Sequence, residues 1–153
     1  MRCLMMAVAL LLPSVPALAG DLSSPVDLSS PAGLWRTVDD KTGQERSDVR
    51  IYELDGKFYG RVERILDPKE AAQICQKCTD DRRGQPVLGM VIMRGLQRDG
   101  DQWDGGRIID PETGDTYRCK MHLIDGGQKL QLRGYVMMPM LGRSQTWKRD
   151  PES

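Results

Sequence analysis

The chain is poor in the side chains that enzymes most often use to move protons or hold metals. It has one histidine, His122, and four cysteines. It contains no Gly-x-Ser-x-Gly, no His-Glu-x-x-His and no glycine-rich phosphate loop, so serine-hydrolase, zincin and nucleotide-binding readings have no motif to start from. Aromatic residues make up 5% of the chain, with a single phenylalanine. Basic and acidic side chains balance at 22 each. That neutrality removes the electrostatic ground for nucleic-acid binding, which needs a basic face. It also gives no net pull toward an anionic membrane surface. No apolar run reaches the ~20 residues that a membrane-spanning helix needs, so a membrane-spanning protein is not expected.

What is present begins with an address. Arg2 is the one charge in residues 1–19, the apolar run 4–12 follows, Pro13 and Pro16 break it, and Ala17-Leu18-Ala19 places small residues where a signal peptidase reads. A positive start, a short apolar stretch and an A-x-A end form the secretory pattern. The expectation is a signal peptide over 1–19, cleaved after Ala19, and a periplasmic or secreted mature chain. Cys3 lies in the part removed, which leaves Cys75, Cys78 and Cys119. Residues 20–32, in which Leu-Ser-Ser-Pro occurs twice, read as a flexible leader.

From Gly33 onward, strand-like runs alternate with turn signals. The runs are 34–38, 49–54, 57–66, 87–96, 102–109, 116–124, 128–136 and 143–149. Asp55-Gly56 is a hairpin signal, and Asp110-Pro111 and Asp125-Gly126-Gly127 mark further turns. Tyr117, Cys119, Met121 and Leu123 fall on one face of their run and Arg118, Lys120 and His122 on the other. Leu130, Leu132, Gly134 and Val136 likewise oppose Lys129, Gln131, Arg133 and Tyr135. That is the period of two of a half-buried strand. The run beginning at Val87 is apolar on both faces and is expected to be covered on both. Eight short strands joined by consecutive hairpins predict an all-β fold, an eight-stranded antiparallel up-and-down barrel. Such a barrel is wide enough to be filled by side chains or to hold one small ligand. The one long connection, 67–86, has the length of a functional loop.

Several stretches together resemble a known family. Gly33-Leu34-Trp35 near the start and Trp147-Lys148-Arg149 near the end are similar to the lipocalin and wider calycin arrangement. The match is closer to the DUF2147 family of exported bacterial proteins. It is carried by Gly33-Leu34-Trp35-Arg36, Ile51-Tyr52-Glu53, Tyr59-Gly60-Arg61, Cys75-x-x-Cys78, Trp103-x-Gly105-Gly106 and Asp110-Pro111-x-x-Gly114. Tyr117-Arg118-Cys119-Lys120, Arg133-Gly134-Tyr135 and residues 141–147 complete it. The resemblance spans Gly33 to Arg149 and sets the domain at 33–150. It implies a lipocalin-like barrel, an exported location and a structural signature of Trp35, Trp147 and Arg149, with the first-strand tryptophan packed against a basic residue of the last strand. It implies no settled ligand.

The candidate chemistry is thin. In an oxidising compartment the Cys75–Cys78 spacing favours a local disulfide pinning the long loop; a redox dithiol, half of a metal site, or a bridge to Cys119 are the alternatives. Cys119 and His122 are three apart on a strand and so point to opposite faces, which argues against a shared metal. His122 reads as a solvated side chain and Cys119 as a small buried apolar residue. Met137-Met138-Pro139-Met140-Leu141 reads as an apolar loop over one end of the barrel, with contact to a ligand or partner as the second reading and soft-metal binding as the third. The expectation is a binding module and not an enzyme, without cofactor or metal. A small apolar or amphipathic molecule would sit in the barrel, with Met90, Tyr117, Met121 and Met138 as candidate ligand-binding residues. The alternatives are an envelope interaction protein with a filled core and, third, a small envelope enzyme.

Overall fold

The computed structural model describes residues 25–150. The expected signal peptide, 1–19, and the start of the leader lie outside the described residues. The chain forms eight strands: β1 (Gly33–Val38), β2 (Glu45–Leu54), β3 (Lys57–Ile65), β4 (Val91–Asp99), β5 (Gln102–Ile109), β6 (Thr116–Ile124), β7 (Lys129–Tyr135) and β8 (Arg143–Arg149). Each pairs antiparallel with the next, and β8 returns to β1 to close the barrel. Closure is made at Trp35 opposite Arg149 and Arg36 opposite Lys148. With the ring complete, no strand is left with an unpaired edge. Among the described residues no helix is long and apolar enough to cross a membrane.

The alternation read from the sequence places the core. Trp35, Val49, Ile51, Met93, Leu96, Cys119, Met121, Leu130 and Trp147 are essentially excluded from solvent. Large side chains fill one half of the barrel because glycines make room for them. A side-chain carbon at Gly106 would collide with Leu96, and one at Gly60 would lie 3.1–3.2 Å from Met93 and Val49. Phe58 and Trp103 meet edge to face there, 6.0 Å between ring centres.

That filled half is the closed end. It is spanned by the tight β2–β3 turn, where Asp55 and Gly56 both take positive φ as a two-residue hairpin requires, and by the short β4–β5 and β6–β7 connections. Residues preceding β1 pack across it. Trp35 donates its indole N–H to the Pro31 carbonyl at 2.8 Å. Arg149 donates to the carbonyls of Gly127, Ala32 and Ser30 at 2.8, 3.0 and 2.8 Å, and its guanidinium lies 4.2 Å from the centre of the Trp35 ring. The last residues of the leader therefore depart from the tether reading: a buried arginine needs acceptors for its donors, and these backbone carbonyls supply them.

The fourth strand also differs from expectation. Val87 and Met90 are buried, yet the strand starts only at Val91. Residues 87–90 instead turn at Gly89, φ 84°, and bond to the start of the long loop and to β3. Val87 N–H donates to the Gln73 carbonyl at 2.9 Å and Gly89 N–H to the Val62 carbonyl at 2.8 Å.

Candidate functional site

The other end of the barrel is open. The connections 39–44, 66–90, 110–115 and 136–142 surround a cavity of about 560 Å3 that enters the upper half of the barrel. This falls within the size range of small-molecule sites. Its inner wall is apolar: Val62, Ile65, Ile92, Ile108, Leu132 and Trp147 line it. All are strand residues; Val62 and Ile65, three apart on β3, both reach the wall because the β2–β3 register shifts between Asp48 and Val49. Gly134 adds to the space. A side-chain carbon at that position would meet the Tyr117 side chain at 3.6 and 3.9 Å and Ile108 at 4.0 Å, ordinary contact with no collision.

A few polar groups interrupt this wall. The hydroxyls of Thr37 and Ser47 lie 2.9 Å apart, and Ser47 N–H donates to the Thr37 hydroxyl at 3.1 Å. Gln145 accepts the Trp147 indole N–H at 3.1 Å. Tyr117 sits on the wall, its hydroxyl donating to Asp115 at 3.5 Å, and burial together with the Asp115 and Asp110 carboxylates raises its phenol above the ordinary range.

The rim is charged and knitted together. Arg143 donates to both oxygens of Asp40, at 2.7 and 2.8 Å, linking 136–142 side to 39–44 side of the opening. Arg46 pairs with Glu70 at 3.3 Å and with Glu112, so one guanidinium holds two further loops. Asp39 accepts from the Lys41 and Thr42 N–H groups at 3.0 and 2.8 Å, which hold its carboxyl below the usual range. Within 66–90, Cys75 and Cys78 form a disulfide with Cα atoms 5.5 Å apart. The Cys75 sulfur rests 3.4 Å from the Pro111 carbonyl oxygen, so the disulfide turn packs on the 110–115 turn beside the opening.

The candidate ligand residues scatter. Tyr117 alone among the four lines the cavity. Met121, four residues beyond Tyr117 on β6 and wholly buried, belongs to the filled half. Met90 is buried behind β3 in the long loop. Met138 is half-exposed on 136–142, where Val136 and Leu141 line the opening instead. Cys119 is buried with a free thiol, and burial followed by the Asp104 charge pushes it up to about 12, which makes it unreactive as a thiolate. His122 lies on the outer face of β6, opposite Gln131. No group of three or more metal-ligating side chains occurs among the described residues. Sequence reasoning missed the Arg46 and Arg143 bridges, which join positions far apart in the chain. It had the signal for Leu132 and Gly134 in the dry face of their strand.

A closed antiparallel eight-stranded barrel, sealed at one end by a tryptophan–arginine pair and open at the other, is a lipocalin-like fold. The chain belongs to the DUF2147 family, described as an uncharacterised protein conserved in bacteria, whose model matches residues 33–149. It is similar to a solved structure from Helicobacter pylori whose protein is described as belonging to the lipocalin family. That similarity has 23% sequence identity and a TM-score of 0.69, covering 84% of this chain and 86% of the other, and it shows the fold. No curated protein matches the chain.

Proposed function

We propose that this protein binds a small apolar or amphipathic molecule in the open half of the barrel. The observation that carries the reading is the cavity itself: about 560 Å3 of space with an apolar wall, a few polar groups and a charged rim. Affinity would come from burying the apolar body of the ligand. Thr37, Ser47, Gln145 and Tyr117 would set its orientation, and the rim would meet a polar head. The role is that of a binding protein and not an enzyme, because the rim carboxylates Asp39, Asp40, Glu70 and Glu112 are engaged with backbone N–H groups or arginines rather than arrayed as an acid and base about a common point. The site of action is the periplasm or the medium, as residues 1–19 suggest. Sequencing the N-terminus of the protein from its own cells should find Gly20 first; an intact Met1 would overturn the export reading.

Titration with phenylnaphthylamine, an uncharged apolar fluorophore, tests the binding site. The wild type should show saturable enhancement of fluorescence. Gly134→Leu places an isobutyl group in the cavity against Tyr117 and Ile108 and should weaken the probe by about tenfold or more. Saturable binding of equal strength in both proteins would place the probe elsewhere and contradict the reading.

A further inference from the structure

The chain is neutral as a whole, but its charge is unevenly placed. On the outer face, Arg107 of β5 stands directly opposite Arg118 of β6, with Lys120 two residues further along β6. Like charges in directly opposed positions repel. Elsewhere on the barrel the comparable pairs are relieved by acids: Arg50 opposite Arg61 shares Glu63, and Lys129 opposite Lys148 has Asp125 and Glu45. Arg107, Arg118 and Lys120 form no ion pair among the described residues. The carboxylate next to them on β5, Asp104, instead accepts from the Tyr135 hydroxyl at 3.4 Å.

This cluster adjoins a second anomaly. Val136, Met137, Met140 and Leu141 are 69, 78, 84 and 76% exposed, and Met138 is 54% exposed. Five apolar side chains in one short loop form a patch that a solitary soluble protein rarely leaves uncovered. The two features touch. Arg118 stands opposite Tyr135, the residue before Val136. The loop is also part of the opening, since Val136 and Leu141 line the cavity.

We infer that this corner of the barrel docks on an anionic lipid surface, with residues 136–141 entering the headgroup boundary and Arg107, Arg118 and Lys120 lying against lipid phosphates. Exposed apolar side chains bordered by cations are the combination that holds proteins at such an interface. An acidic polymer would satisfy the cations and leave the methionines in water. An apolar protein groove would cover the methionines and leave the cations opposed. A lipid surface satisfies both, and it brings the cavity opening to the place where amphipathic molecules reside. The docking needs no occupant in the cavity, so it stands or falls apart from the ligand-binding reading.

Co-sedimentation of the processed, exported chain with vesicles tests it. The protein should pellet with phosphatidylcholine vesicles that contain phosphatidylglycerol, remain in solution with phosphatidylcholine alone, and be released by added salt. Arg118→Gln and Lys120→Gln should each weaken partitioning by about fivefold. Met140→Asp should weaken it by about tenfold or more, and Met140→Ser serves as the milder variant if the aspartate impairs folding. Absence of binding to anionic vesicles overturns the inference. So does equal binding to neutral vesicles, and so does binding lost in the charge variants but unchanged in both Met140 variants, which would indicate a polyanion site instead.

Discussion

Arg149 holds the closed end through its shape as much as its charge. Its planar fork reaches three carbonyls on two separate segments while the flat face covers Trp35. A lysine carries the charge but neither the fork nor the stacking face. Arg149→Lys should therefore cost about 2 kcal/mol, measured as a lower midpoint in urea with an unchanged slope. Asp48 is the second residue on which the frame turns. It points outward from β2 yet is 1% exposed, covered by Arg36 and Arg64, which donate to it at 2.8 and 2.6 Å. Burial by itself pushes its carboxyl up; the hydrogen bonds and charges of the two arginines outweigh that and hold it below the ordinary value. A depressed folded value means stabilisation present above the ordinary carboxylate range and lost as pH falls through the folded value. Asp48→Asn should cost about 1–3 kcal/mol at neutral pH, and the gap to wild type, read from urea midpoints, should close in acid. A gap independent of pH would show that the ion pairs are not its source.

The elements show which sequence signals carry furthest. β5, β6 and β8 have the limits read from the sequence, and β6 shows most plainly why, since its inward and outward residues differ in kind. The start of β4 was not legible. Val87 and Met90 are as apolar as strand residues, but their burial comes from the long loop folding onto β3, and periodicity cannot tell covering by a loop from covering by a sheet. The same blindness explains the candidate ligand residues. Met90 belongs to that loop, and Met121 is apolar and inward, as wall residues are, but height along the barrel decides between wall and core, and height follows from register across strands. The long loop carries its own staple. Replacing Cys75 and Cys78 by serine removes a short closed ring, for which chain entropy gives about 2 kcal/mol. The expected result is faster amide exchange across residues 73–87 with β6 and β7 unchanged. Equal acceleration in those strands would show that the disulfide supports the whole barrel.

At the scale of the molecule, the barrel is two different objects end to end. The closed half is solid, made so by Leu96 over Gly106 and Met93 beside Gly60. The open half is hollow, lined by Val62, Ile92, Ile108 and Leu132, and held open by loops that Arg46 and Arg143 tie in place. Composition announced neither half. Net charge likewise concealed the opposed cations of β5 and β6, because a balance over the chain says nothing of which strand faces carry each sign. Native mass spectrometry of the protein taken from its own cells tests most directly whether the hollow half is a binding site. A bound small molecule is expected on the wild type and absent from Gly134→Leu prepared in the same way. A wild type that repeatedly flies at its bare mass, or a Gly134→Leu variant that keeps the same adduct, would contradict it.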